Sequence, residues 1–221
     1  MSAGRPARCE TGGPRRATAR GGRRAARALL VSGAPGSGKT TLGRALAKRL
    51  AYVLVDLDEA ASEVTGRALA ALGQRPAALD DPALAPDLRA VRYSALARRS
   101  ASLVAAGSGV VLAAPFTAER SDPRRYESFV RQVLGEGRAG PDEAVLVYLE
   151  TPPGELARRL ASRGAERDRR KLAEPSRYLG GVRAAPAVEH LRVEGTAPLD
   201  EQVATVVAHL ARRRGGERCS S

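Results

Sequence analysis

A chain of 221 residues, 43% of them hydrophobic, can bury a full core within one ordinary domain, and it has no run of about 18 apolar residues with which to cross a membrane. Its net charge of +13 points first to nucleic acid, but eight Arg against one Glu put +7 in residues 1 to 28, and four Arg against one Glu put +3 in residues 212 to 221, leaving +3 for the body. Two basic tails on a nearly balanced domain read as solvated ends, with a polyanion-binding arm as the second reading; no aromatic residue interleaves the tail arginines to stack on bases.

Residues 1 to 26, rich in Gly, Arg, Pro and Ala, are expected to be disordered, as are 213 to 221, which leaves 27 to 212 as the domain. The first residues lack the apolar middle of a secretory signal, and Cys9 and Cys219 lie in the tails, which suits neither a disulfide framework nor a catalytic thiol. A cytoplasmic protein is the expectation.

The apolar run Ala28 to Val31 predicts a strand, and Leu42, Ala45, Leu46 and Leu50 recur at helical spacing over 39 to 50. Between them stands Gly33-Ala34-Pro35-Gly36-Ser37-Gly38-Lys39-Thr40-Thr41, which fills every constrained position of the phosphate-binding pattern G-x-x-x-x-G-K-[ST] in its required strand-to-helix setting. Glycines at 33, 36 and 38 free the backbone to turn its N–H groups onto phosphate oxygens. Lys39 supplies a compact charge for the β and γ phosphates, the Thr40 hydroxyl a ligand for Mg²⁺, and Thr41 a contact near the α phosphate. The only other lysines are Lys48 and Lys171, so in this Arg-rich chain Lys171 is also worth attention.

Tyr52 to Asp58 predicts a buried parallel strand that delivers Asp56 and Asp58 to its C-terminal rim, where open α/β sheets bind ligands. Both acids could equally cap the helix expected over 59 to 72. Pro76, Pro82 and Pro86 mark a loop, after which 87 to 106 is helical and Gly107 stops it. Val110 to Ala114 is a third strand with Pro115, Phe116, Thr117 and Arg120 at or near its rim. Helix 124 to 135, strand 144 to 149, a helix opened by Pro152 and Pro153, a strand near 190 to 193 and a helix over 199 to 212 complete the order. Strands alternating with helices imply a parallel sheet covered on both faces.

Between Arg158 and Lys171 stand seven basic and two acidic residues. Arg159, Arg163 and Arg167 fall four apart, so along a helix they share one face and approach a triphosphate together, or else form a solvated basic face. Arg92 and Tyr93, with Phe116 and Thr117, could line an acceptor pocket, or Tyr93 could be core. His190 and His209 have no ligand-spaced partners.

With the loop Gly33 to Thr41, the acids Asp56-Leu57-Asp58 and the series Arg159-x-x-x-Arg163-x-x-x-Arg167-Asp168-x-x-Lys171 in place, the chain from 28 to 212 resembles the compact P-loop kinases. These include shikimate and gluconate kinases, chloramphenicol phosphotransferase and the Zeta-toxin-type enzymes. The resemblance implies a P-loop NTPase three-layer α/β/α fold. Its five-stranded parallel sheet would have order 2-3-1-4-5, with a small helical lid over about 158 to 173. It further implies Asp58 as contact or general base for the acceptor hydroxyl, Asp56 as a holder of Mg²⁺, Arg163 and Arg167 as catalytic lid arginines, and Arg159 or Arg163 stacked on the adenine with the Thr196-Ala197-Pro198 turn on its other face. Arg92, Thr117, Arg120 and Lys171 are the lid or acceptor candidates.

The activity implied is transfer of the γ-phosphate of ATP, with Mg²⁺, to a hydroxyl of a small polar acceptor. Nucleic acid and membrane are not expected as partners, and the protein is expected to be a monomer or homodimer. Two alternatives remain: a nucleotide-binding regulator with little or no ATPase activity, and a kinase for a nucleic-acid end or nucleotide sugar. The third strand ends without the acid that many P-loop enzymes carry there, which disfavours a motor or transport ATPase and leaves Mg²⁺ to Thr40 and the Asp56/Asp58 pair.

Overall fold

The computed structural model describes residues 26–74, 84–135, 143–163 and 185–215. Strand β1 (Ala28–Gly33) is buried along its whole length at the centre of a five-stranded sheet of order β2-β3-β1-β4-β5, in which every pairing is parallel. Its neighbours are β3 (Val110–Ala113) and β4 (Ala144–Glu150), with β2 (Val53–Asp56) and β5 (Leu191–Glu194) at the edges.

Alternation along β1 assigns the two faces. Ala28 and Leu30 point into one core with Leu112 and Leu146, covered by α2 (Leu57–Ala71), α3 (Ala85–Ala105) and α5 (Pro123–Leu134). Leu29 and Val31 point into the other with Val111 and Val147, covered by α1 (Lys39–Leu50) and α7 (Leu199–Gly215). Because a central parallel strand is apolar on both faces, it reads as a continuous apolar run, and this made β1, β3 and β4 easy to recognise.

Three expectations need correction. The run Tyr52 to Asp58 is not one buried strand: β2 stops at Asp56, lies at the sheet edge with Val53 36% exposed, and gives way to α2, which opens with Leu57 and Asp58. An Asp at the strand end can cap a helix at once, and here it does. Pro86 lies in the first turn of α3, where its missing N–H costs nothing, and not in a loop. The rim after β3 also carries a short helix, α4 (Thr117–Ser121), too brief for periodicity to show. Pro76 and Pro82, both tails, and the stretch after Arg163 lie outside the described residues.

The β3–α4 connection is held by packed aromatics. Phe116 sits at φ 49, a left-handed conformation that a bulky residue adopts only when its surroundings enforce it. Its N–H donates to the Tyr93 hydroxyl at 2.9 Å, and its ring meets those of Tyr93 and Phe129 edge-on at 5.8 and 5.5 Å. Tyr93 is therefore core, and burial raises its pKa. Above it Arg89 stacks at 4.0 Å and reaches the largely buried Glu119 of α4 at 2.5 Å. Arg89→Ala should destabilise the protein by about 2 kcal/mol, because a carboxylate would be left buried without its partner. A urea midpoint matching that of the parent would show the pair to be dispensable.

Candidate active site

The strand order puts the β1–α1 loop in the middle of the C-terminal rim, with the ends of β2 and β3 on one side and α6 (Pro153–Arg163) and the β5–α7 turn on the other. All of them border one cleft of about 630 Å³. Pro35 through Thr41 form its floor, whereas Gly33 and Ala34 lie behind that floor and shape it. A Cβ at Gly33 would stand 2.7 Å from the Ser37 Oγ and 2.8 Å from the Leu149 carbonyl oxygen, so only glycine lets the loop pass that close to β4. Gly38, at φ 100, turns the chain into α1, whose N-terminus faces the cleft without a side-chain cap. The Lys39 ammonium donates to the Ala34 carbonyl at 2.9 Å, folding across the loop.

Asp56 performs two tasks at once. Its Oδ1 accepts from the Asp58 N–H at 2.9 Å and caps α2, while its Oδ2 accepts from the Thr40 hydroxyl at 2.7 Å. Asp56 is in register with Ala113, the last residue of β3. The carboxylate missing from the end of β3 is thus supplied at the same level by the neighbouring strand. Thr40 and Asp56 together form a pair of oxygens suited to a hard cation such as Mg²⁺.

Asp58 lies within the first turn of α2, one residue past its opening Leu57: its carboxylate reaches Arg92 of α3 at 2.5 Å, and both residues line the cleft beside Thr40. Across the loop, Arg159 and Arg163 share one face of α6 and both line the cleft. Arg159 is held on three sides: Glu155 Oε1 accepts from its Nε at 2.6 Å, the Ser37 carbonyl from Nη1 at 3.1 Å, and the Gly195 carbonyl from Nη2 at 2.9 Å. One planar guanidinium thereby ties the phosphate loop to the β5–α7 turn.

Glu155, which the sequence alone did not single out, orients that tie. Hydrogen bonds from Arg158 and then Arg159 hold its carboxyl at about 2, well below the usual carboxylate range. A depressed carboxylate stabilises the fold fully above its ordinary value of 4.5 and ceases to do so as pH falls through 2. The stability gap between the parent and Glu155→Gln should therefore be present at neutral pH and close between pH 4.5 and 2, as urea titrations across that window would reveal. A gap independent of pH would rule out the ionic contact as its source.

Other candidates fall elsewhere. Arg120 is 2% exposed, with its guanidinium 5.0 Å from the Tyr148 ring, and is not part of the cleft lining. It is on the buried side of α4, against Tyr148 and away from the rim that its sequence position suggested. Thr117 starts α4 and is likewise outside the lining, and Gly195 and Ala197 of the β5–α7 turn and Leu199 at the start of α7 line the cleft where Pro198 does not. Gln202 was also missed: it lines the cleft and steadies the turn by donating to the Ala197 carbonyl at 2.8 Å. Only its place one turn into α7 marks it, and that place depends on where the preceding turn ends. Arg167 and Lys171 lie outside the described residues. Among the described residues, no helix is long and apolar enough to cross a membrane.

The model of a family described as an AAA domain matches residues 29–178. A shikimate kinase of Corynebacterium glutamicum is 34% identical over 179 residues, which is 80% of this chain and 83% of that enzyme. Among solved structures, a gluconokinase from Sinorhizobium meliloti 1021 superposes with a TM-score of 0.59 at 22% identity, covering 88% of this chain and 97% of that one. A shikimate kinase from Aquifex aeolicus gives 0.50 at 16% identity, covering 86% and 99%. The two structural likenesses bear on the fold alone.

Proposed function

The chain belongs to the AAA-domain family of P-loop proteins, among its compact kinases, and from that premise we propose that it transfers the γ-phosphoryl group of Mg·ATP to a hydroxyl of a small polar metabolite or antibiotic. The observation that carries this reading is that one cleft joins a complete phosphate loop to the Asp58–Arg92 pair. A hydroxyl seated at Asp58 lies on the side of the loop away from Arg159, so donor and acceptor can be held in line.

In this reading the loop N–H groups and Lys39 hold the β and γ phosphates. Thr40 and Asp56 would hold magnesium, whose charge neutralises the phosphate oxygens. Asp58 accepts the proton of the acceptor hydroxyl as the oxygen–phosphorus bond forms and the bond from the γ-phosphorus to the β–γ bridging oxygen breaks, releasing ADP. Arg92 keeps the Asp58 carboxylate aimed, and Arg163 adds positive charge from the opposite wall. Arg159, anchored on three sides, sets the distance between the phosphate loop and the turn that receives the base.

The test is ADP release from Mg·ATP with pools of sugar acids, sugars, nucleosides, hydroxylated antibiotics and 5′-hydroxyl oligonucleotides, run beside Lys39→Ala. A pool that stimulates the parent and leaves the variant silent supports the reading. Nucleotide binding with no stimulation by any pool counts against transfer and favours a regulator.

A further inference from the structure

The nucleotide cleft occupies one end of the sheet, and the opposite end gathers positive charge from segments far apart in sequence. Just before β1, the Arg27 N–H donates to the Glu143 carbonyl at 2.7 Å and the Ala26 carbonyl accepts from the Tyr52 hydroxyl at 2.6 Å. The chain thus enters the domain beside the starts of β2 and β4. α7 finishes at the same place: it leaves the cleft at Leu199 and runs back along the sheet until Leu210 shares one apolar cluster with Ala26, Leu46 and Ala47. Near its end Arg213 donates to the carbonyl of Ala144, the first residue of β4, at 3.4 Å.

Cations collect there. Lys48 and Arg49 lie exposed in the last turn of α1, and Arg212-Arg213-Arg214 closes α7 with Arg212 exposed. Arg27 and Arg213 serve the fold, the first through the Val104 carbonyl at 2.6 Å and the second through Ala144, with Glu189 lining the same cavity as Arg213. Glu143 is 9% exposed and gives the surface little negative charge. Residues 1 to 25, which join the domain at Ala26, add seven Arg against one Glu, or +6. Basic residues at a helix C-terminus complement its dipole, which accounts for Lys48, Arg49 and Arg212 one helix at a time. It does not account for a +6 segment delivered beside them.

We propose that this face, opposite the nucleotide cleft, docks the phosphate backbone of double-stranded nucleic acid without reading its sequence. Arginine forks match phosphate oxygens, and each phosphate neutralised on a duplex releases counterions. The leading segment has no aromatic residue to stack on unpaired bases and no Leu, Ile, Val, Phe or Trp to enter a bilayer, so a duplex suits it better than a single strand or a membrane. The six residues of β1 separate this face from the phosphate loop by about 20 Å, so the bound duplex is a tether and not the phosphoryl acceptor.

The experiment follows the fluorescence anisotropy of a labelled DNA duplex of about 20 base pairs titrated with the full chain across a salt series. The expected dissociation constant is about 1 µM at about 50 mM salt, with affinity falling about 10³-fold by about 200 mM. Lys48→Gln, Arg49→Gln and Arg212→Gln together, and separately Arg20→Gln, Arg23→Gln and Arg24→Gln, should each weaken binding at least about tenfold and flatten the salt slope by about 3. The melting temperature of each variant is the control for folding. The second set changes no residue of the described domain, so it decides the matter even where the first unfolds. ADP should not displace the duplex. No binding at low salt, binding indifferent to salt, or a folded variant that holds the duplex as the parent does overturns the proposal. Displacement by ADP puts the duplex in the cleft and overturns it too, as does tighter binding to a single strand or to vesicles of anionic lipid.

Discussion

Lys39→Ala is expected to lower kcat/KM for ATP by about 10²- to 10³-fold, the scale on which a single preorganised charge at transferring oxygens acts. In the structure the Lys39 ammonium is held within the loop by the Ala34 carbonyl at 2.9 Å, so the side chain is already folded over the surface that receives phosphate. Its removal takes away a point charge and the hydrogen bond to the Ala34 carbonyl, a bond of the kind that contributes about 1 kcal/mol to a fold. Lys39→Arg should not rescue activity, because a bulkier planar fork cannot occupy the place of a compact ammonium folded across the loop. Coupled ADP-release kinetics together with nucleotide titration separate these outcomes. A Lys39→Ala protein with the parent's turnover would mean that this loop does not hold the reacting phosphates.

The loop was legible because its constraints are local: three glycines, one lysine and one threonine at fixed spacing, with an apolar strand before and a helix after. The sheet was legible for a similar reason, since buried parallel strands are written as unbroken apolar runs. What the sequence left open was decided by contacts between distant segments. Whether Asp56 caps a helix or faces the loop could not be chosen from its neighbours, and in the structure one oxygen caps α2 while the other accepts from Thr40. Arg120 stands four residues after Phe116 and reads as a rim residue, but the short α4 that contains it turns its side chain inward against Tyr148. Glu155 looks like an ordinary acid in a first helical turn until Arg159 is found bonded to Ser37, 122 residues away. Long-range partners of this kind leave no trace in spacing.

The second large effect is expected at Asp58. Asp58→Asn keeps the shape of the side chain and its hydrogen-bonding reach while removing the charge and the basic oxygen, so kcat should fall by about 10²- to 10⁴-fold, the range attributed to a positioned general base. The KM for ATP should stay within about twofold, since the proposed reading puts Asp58 on the acceptor side and gives the nucleotide to the loop, Arg159 and the β5–α7 turn, which line the same cleft. Stability is not at issue: the Asp58 side chain is 58% exposed, and so open an ion pair contributes under about 1 kcal/mol. The same substitution at Asp56 would confuse the result, because it would disturb the cap of α2 and the hold on Thr40 together. Arg92→Ala separates aim from chemistry. If Arg92 orients the carboxylate and helps seat the acceptor, its loss should raise the acceptor KM about tenfold and lower kcat far less than Asp58→Asn does. The double variant should then be little worse than Asp58→Asn alone, because an arginine whose work passes through Asp58 has nothing left to aim. Additive losses would give Arg92 an independent role, and an Asp58→Asn protein with undiminished turnover would remove Asp58 from the chemistry altogether.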